Sequence, residues 1–254
     1  MNTCEIDRLA KALPGHIGLY LLDTVTGEEY ACNAADPIEA ASVIKLTVMA
    51  EAFRQFGAGE LNPAERVTIR PEDKLPSCGA LTYMEDGTTV TLRDLVTLMI
   101  ILSDNTATNL LIDRLWLGRI NALIERLGLA GTHLNRKLFM PELAARGVKN
   151  YVSAQDMGVL LRLMLEGKLI SPEASRDMLG ILRNQRLNGK MPFFLHDKGI
   201  ACAHKTGEDD GVTHDVGIIF AEHPVILCFL SERTDVPRAE RALQDIAALA
   251  AGVA

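Results

Sequence analysis

Strand-like sequence occupies both ends of this chain, and helical sequence fills the stretch between them. Residues 17–23 (IGLYLLD) read as a strand, Thr26 and Gly27 as a turn and residues 28–32 as a second strand, together a hairpin. Residues 200–204, 215–221 and 225–231 are further β-like runs separated by turn residues. From Ser42 the period changes, and SVIKLTVMAEAFRQF sets Ile44, Val48 and Phe53 among helix formers, ending near Gly57. Helical texture continues through 91–102, 106–116, 119–127, 154–166 and 172–183, and an amphipathic segment, 237–251, closes the chain. Strands at opposite ends share a sheet only if the ends meet in space. The expected architecture is therefore α/β in content and α+β in arrangement. An antiparallel sheet flanked by helices is built from residues 1–41 and 190–254, and a helical lobe, 42–189, is inserted into it. The chain, 1–254, then forms a single two-lobed domain, with the cleft between lobes as the natural ligand site.

Composition narrows the class of partner. Of the 254 residues, 48% are hydrophobic and 23% charged, which excludes disorder, collagen and coiled coil as whole-chain readings. A net charge of -7 repels phosphate backbones, so no nucleic acid partner is expected. The apolar run 95–102 is broken by Thr97 and is far short of the ~20 residues a bilayer requires, so no membrane span is expected. Residues 1–14 carry Glu5, Asp7, Arg8 and Lys11 and lack the apolar core of a secretory signal. That places the protein in the cytoplasm, or outside it (secreted or periplasmic) if a leader has been removed. Five cysteines, Cys4, Cys32, Cys78, Cys202 and Cys228, form no C-x-x-C or Cys/His cluster, which argues against a disulfide framework and a zinc site. Cys202 and Cys228 sit in apolar runs and read as core thiols, mildly favouring a reducing compartment. A monomer without metal or cofactor is expected.

Three short motifs carry the chemistry. Of the seven serines only Ser42 heads an S-x-x-K, with Lys45 one turn further along the same helical face. Exposed N–H groups at a helix start favour negative charge at Ser42, and a lysine whose pKa is depressed can take the serine proton. A capping serine beside a solvated lysine is the plainer alternative. Ser103-Asp104-Asn105 joins two helices, either as a cap and turn or as polar groups projected into a cleft, with Ser103 relaying a proton and Asn105 holding a substrate amide. Lys205-Thr206-Gly207 ends the run 200–204; on a strand Lys205 and Gly207 share a face, Gly207 admits a ligand close to the backbone, and Glu208 offers an edge N–H. The alternative is an ordinary strand end. The three motifs stand 61 and 102 residues apart, each in its proper context.

This set resembles the active-site serine β-lactamases and penicillin-binding proteins, most closely the class A β-lactamase-like serine hydrolases, over nearly the whole chain. The resemblance implies a β-lactamase/transpeptidase-like fold in which Ser42 is acylated, Lys45 accepts or relays its proton and Ser103 shuttles a proton to the leaving nitrogen. Asn105 binds the acyl amide, and Lys205 and Thr206 bind the substrate carboxylate. Gly207 and Glu208 complete the binding strand, with the Ser42 and Glu208 N–H groups as the oxyanion hole. The implied partner is a small-molecule or short-peptide substrate: a β-lactam, an amide, an ester or a D-amino-acid peptide.

Two departures qualify the resemblance. Class A β-lactamases place a deacylating glutamate in a motif like E-P-E-L-N, whereas residues 140–144 here read MPELA. Met140 takes the glutamate's place and Ala144 the asparagine's. Glu142 stands two places late; it is a possible deacylation base, and a solvated loop carboxylate is the more expected reading. Residues 135–139 (NRKLF) resemble a subgroup of related hydrolases, and 150–157 (NYVSAQDM) keep the family's downstream pattern. Residues 208–222 contain no arginine or lysine, and Asp209 and Asp210 add negative charge, which argues against tight binding of an anionic penicillin unless Arg233 or Arg238 supplies a cation from elsewhere. His204 is read as a strand-end residue or a tuner of Lys205, His214 as no metal ligand, Trp116 as a packing residue, and Phe139 and Met140 as loop anchors. The expected function is a serine hydrolase with weak or absent β-lactam hydrolysis. The alternatives are a genuine β-lactamase using Glu142 or another base, and a single-turnover β-lactam or peptide sensor.

Overall fold

Residues 1–76 and 78–253 are described by a computed structural model of the chain. The first segment, considered above only as a leader, folds as a helix, α1 (Thr3–Lys11). The Asn2 side chain accepts from the Glu5 N–H to cap it, and Ile6 and Ala10 are buried on one face. Next come β1 (His16–Asp23), β2 (Glu29–Cys32), β3 (Ile38–Glu39) and a 3-10 turn, Ala41–Ile44, that leads into α2 (Lys45–Gly57). β4 (Arg66–Thr68) and β5 (Thr89–Thr91) precede α3 (Leu92–Ile101), α4 (Asn105–Leu115), α5 (Leu117–Arg126) and the short α6 (Pro141–Ala145). β6 (Tyr151–Val152), α7 (Ala154–Leu165) and α8 (Pro172–Arg183) lead to β7 (Ala201–Asp209), β8 (Val212–Phe220), β9 (Pro224–Glu232) and α9 (Val236–Ala250).

The main sheet is antiparallel in the order β2-β1-β9-β8-β7, so strands from the two ends of the chain meet at its centre, in pairs such as Leu21↔Leu227. Both faces are covered. Leu19, Leu21, Leu227 and Phe229 pack with Ile6 of α1 and with Leu243 and Ile246 of α9. The opposite face joins a larger core with α2, α3, α4, α7 and α8. Double coverage explains why eight of the nine residues of β8 are buried and why the strands read as near-continuous apolar runs. Two small pairings, β4 with β5 and β3 with β6, stand apart from the main sheet.

Three local expectations change. β7 runs on to Asp209, because its ladder with β8 continues as far as Asp209↔Val212 at the turn around Gly211. The whole of Lys205-Thr206-Gly207-Glu208 is therefore inside a strand rather than at its end. Trp116 does not pack: it is the single residue between α4 and α5, its φ of 69° is left-handed, and its side chain is 74% exposed. Cys228 is buried, as expected of a core thiol, whereas Cys202 is only partly so. Among the described residues, no helix is long and apolar enough to cross a membrane.

α7 lies against β1 through Gly158, where an added Cβ would stand 2.4 Å from the Tyr20 ring. Gly158→Ala is expected to cost about 1–3 kcal/mol, as overpacking of a filled contact does. In a chain of this size that lowers Tm by roughly 2–12 °C, at 2–4 °C per kcal/mol. A thermal melt by circular dichroism checks this; an unchanged Tm would mean that Tyr20 yields without cost.

Candidate active site

The β3–β6 pair and the Ala40 N–H, which donates to the Asn150 carbonyl at 2.8 Å, fix the chain just before Ser42. Ala41 then takes a left-handed φ of 40°, a conformation that costs an alanine about 1–2 kcal/mol. Val43 and Ile44 are wholly buried and anchor the turn from below. Ser42 consequently sits in the 3-10 turn ahead of α2, and Lys45 opens the helix. The capping alternative fails on this geometry, because the half-buried Ser42 hydroxyl makes no hydrogen bond among the described residues and faces a cleft.

Lys45 is not solvated either. It is fully buried, and its Nζ donates to the Ser103 carbonyl at 2.7 Å, reaches Ser103 Oγ at 3.0 Å and donates to Asn105 Oδ1 at 2.9 Å. From the other side Lys205, also fully buried, brings its Nζ to the same Ser103 Oγ at 3.0 Å and donates to the Thr206 carbonyl at 2.7 Å. One hydroxyl thus stands between two buried amines. Burial, then the charge of Lys205, holds the Lys45 pKa well below that of an ordinary lysine. Burial brings Lys205 down to about 7. Both amines therefore give up a proton more readily than an ordinary lysine.

Ser103 reaches this position through a left-handed φ of 55° in the link between α3 and α4. Asp104 secures the link. Its carboxylate caps α4 by accepting from the Ala107 N–H at 2.9 Å, and it also accepts from the N–H groups of Ala80 at 2.7 Å and Leu81 at 2.9 Å. Gly79 is required there: its φ is 120°, and a Cβ would lie 2.3 Å from the Asp104 carboxylate. Asn105 is partly committed within the protein, since its Nδ2 donates to the Pro76 carbonyl at 3.3 Å while its Oδ1 holds Lys45.

β7 is the edge strand of the sheet. The carbonyls of His204 and Thr206 accept from Gln185 Nε2 at 3.2 Å and Lys205 Nζ at 2.7 Å, outside the ladder with β8. Antiparallel alternation puts the Glu208 N–H on the same free edge. Gly207 permits the approach of the nucleophile turn, since a Cβ there would be 3.2 Å from Val43 Cγ2 and 2.9 Å from His214 Cδ2. His204 is a structural residue: it is buried, its Nδ1 is 2.8 Å from Asp215 and its Nε2 is 3.0 Å from Asn188 Oδ1. His214 is neutral, with burial bringing its pKa to about 4. Its Nε2 donates to the Glu39 carbonyl at 2.8 Å and its Nδ1 accepts from the Ser231 N–H at 3.0 Å.

Ser42, Asn105 and Glu208 line a cleft of about 700 Å³ with Met140, Arg136 and Cys78. Met140 faces this space. Pro141 starts α6 immediately after it and carries Glu142 onto an exposed position outside the cleft lining. Phe139 is 46% exposed at a φ of 53°, so it does not anchor the loop. Asn150 does that work: its Oδ1 accepts from the N–H groups of Asn135 at 2.8 Å and Arg136 at 3.0 Å, and its Nδ2 donates to the Arg136 carbonyl at 3.0 Å. Neither Arg233, paired with Glu232 at 3.2 Å, nor Arg238, which donates to the Ala12 carbonyl at 3.2 Å, lines the cleft. The cation that does is Arg136, which donates Nε to the Val148 carbonyl at 2.7 Å. Its place in NRKLF was visible in the sequence, but its proximity to Ser42 was not.

Residues 3–253 match the Beta-lactamase enzyme family. The chain belongs to that family. A β-lactamase of Sphaerobacter thermophilus has 31% sequence identity to it, with 99% of this chain and 97% of that one covered and a TM-score of 0.90. PBP-A is 27% identical, with 98% and 94% covered and a TM-score of 0.88, and a variant of PBP-A has been solved as an acyl-enzyme complex with penicillin G. A β-lactamase of Rhodobacter capsulatus is 25% identical over 190 residues, 73% of this chain and 64% of that protein.

The two lysines of this family member also set a pH dependence of stability. Lys205 binds its proton less tightly folded, at about 7, than unfolded, near 10.5. Between those values the unfolded chain holds more protons, so stability rises with pH across the window, and Lys45 acts in the same direction. The expected result is a urea midpoint that climbs, relative to Lys205→Met, as pH goes from 7 to 10. A difference between the two midpoints that does not move in favour of the wild type over that range would refute the depressed pKa.

Proposed function

We propose that the protein is a serine hydrolase that forms an acyl-enzyme at Ser42 with β-lactams, amides or esters and releases β-lactam products slowly. The observation that carries this reading is Ser103 Oγ at 3.0 Å from both buried lysine amines, with the Ser42 hydroxyl, which makes no hydrogen bond among the described residues, lining the cleft. Neutral Lys45 takes the proton as Ser42 Oγ attacks the acyl carbon. The N–H groups of Ser42 and Glu208 stabilise the oxyanion, which is usually among the largest contributions to acyl transfer. Collapse breaks the carbon–nitrogen or carbon–oxygen bond, and the proton passes from Lys45 through Ser103 to the leaving atom. Lys205 and Thr206 receive the substrate carboxylate, and Arg136 adds a cation to the same cleft. Small molecules or short peptides, D-amino-acid peptides among them, fit a site of this size.

The slow release rests on Met140, which lines the cleft where relatives place a glutamate. A thioether accepts no proton from water, and the general-base help forgone is worth roughly a hundred- to ten-thousand-fold. Glu142 does not replace it in this reading, being exposed on α6 and outside the cleft lining. Of the three lining carboxylates, Glu39 and Glu208 are paired, with Lys149 at 2.6 Å and Lys190 at 3.1 Å, and Asp209 is exposed at the end of β7 and accepts from the Asp210 N–H at 2.9 Å.

Incubation with penicillin should add the mass of one intact penicillin to the protein, persistently, and Ser42→Ala should show no adduct. Met140→Glu should raise steady-state nitrocefin turnover by about a hundredfold or more, the lower bound for restoring a general base. Glu142→Gln should leave turnover unchanged. An adduct on Ser42→Ala would end the nucleophile assignment, and fast wild-type turnover lost in Glu142→Gln would end the slow-release reading.

A further inference from the structure

One buried cation lies outside the machinery just described. Lys190, its side chain only 5% exposed, places Nζ 3.2 Å from the Gly207 carbonyl and 3.4 Å from the His214 carbonyl. It also faces two carboxylates, Glu208 at 3.1 Å and Glu240 at 3.6 Å, and Glu240 in turn accepts from the Thr213 hydroxyl at 3.1 Å. The Gly207 carbonyl and the Glu208 N–H belong to one peptide group. That group is trans, so the two dipole ends point in opposite directions. Gly207 pairs with His214 across the ladder, and the Glu208 N–H points out of the free edge of β7, towards the turn that carries Ser42.

We propose that Lys190 is a positioning residue for acyl transfer: by bonding the Gly207 carbonyl and pairing with the Glu208 carboxylate, it strengthens the Glu208 N–H as an oxyanion donor. This rests on the acylation reading above. An ammonium at the oxygen end of an amide draws electron density away from its N–H end, and hydrogen bonds linked through a peptide group reinforce one another, by perhaps 10–30% per bond. The second effect is a cancellation. Glu208 carries a carboxylate on the very residue whose N–H must meet a developing negative charge. An uncompensated anion there would oppose the oxyanion, and Lys190 holds it in an ion pair.

The test is a graded series in the full-length protein: Lys190→Arg keeps charge and donors, Lys190→Gln keeps a donor only, and Lys190→Met keeps neither. Three readouts are followed, namely the rate of acylation by penicillin from intact mass, the infrared stretch of the acyl-ester carbonyl, and the amide proton shift of Glu208 in the unacylated protein by NMR. Acylation should fall about tenfold in Lys190→Met, a fraction of the hundred- to thousandfold lost when an oxyanion donor is removed outright. Lys190→Gln should be intermediate and Lys190→Arg within about twofold of wild type on the same scale. The carbonyl stretch should rise in frequency, and the Glu208 amide proton should move upfield, in the same order. A Glu208 shift that is the same in all four proteins overturns the proposal, as does a Lys190→Met protein that acylates like wild type. A lower melting temperature with an unmoved Glu208 shift makes Lys190 a packing residue only, and likewise overturns it. If the wild type forms no adduct, the Ser42 reading fails separately, and the Glu208 shift series still decides the role of Lys190.

Discussion

Two amines buried against one hydroxyl are the constraint around which this protein is arranged. Lys45 and Lys205 each bond Ser103 Oγ, and their other hydrogen-bond partners among the described residues are neutral oxygens: the Ser103 carbonyl, Asn105 Oδ1 and the Thr206 carbonyl. A buried ammonium without a carboxylate in contact is unfavourable, and two such groups also repel each other. The usual outcome is loss of a proton, and that is what the depressed pKa values describe. Elsewhere in the molecule, cations meet carboxylates directly, as in Arg54 with Glu51 and Glu60. The contrast is what favours the proposed role of the lysine pair in proton movement.

Holding that arrangement takes strain and glue from several elements. Ala41 and Ser103 both occupy the left-handed region, one just before Ser42, the proposed nucleophile, and the other between the two amines. Asp104 accepts from three N–H groups across two segments, and Asn150 ties the loop over the cleft by accepting from two N–H groups and donating to one carbonyl. Neither is a direct participant in the chemistry, yet both fix residues that are. The loop neck is tied by a neutral amide and by Arg136 on backbone carbonyls, so it carries no buried ion pair of its own.

Much of this was legible in the sequence, within definite limits. Lys45, Ser103, Asn105 and Lys205 are linked by hydrogen bonds and Ser42 shares a cleft with Asn105; these residues stood out in the sequence because short motifs encode which side chains a turn or strand presents. The antiparallel sheet was legible for the same reason: apolar runs and turn residues are local signals. What escaped depends on partners far along the chain. Strand β7 is longer than its own composition suggests because β8 continues the ladder. Asp104 looked like a simple cap, and only the positions of Ala80 and Leu81 reveal its second task. Arg136 and Lys190 carry no motif, and their importance follows from where the fold sets them. Trp116 was misjudged because burial statistics for tryptophan do not register a one-residue helix link with positive φ.

The meeting of the chain's two ends also bears on how the protein comes to be folded. Every residue of β1 has its β9 partner more than 200 positions away, so the central pairing of the sheet has nothing to form against until almost the entire polypeptide exists. Closure of so large a loop is entropically costly, and topologies dominated by such distant contacts fold slowly. During synthesis the β1–β2 hairpin must wait with its apolar faces uncovered while the helical segment emerges and collapses behind it. The amphipathic α1, packed beside α9 in the finished protein, is in the same position. Assembly of the catalytic edge strand is thus a late event, and a partly made chain has no active site.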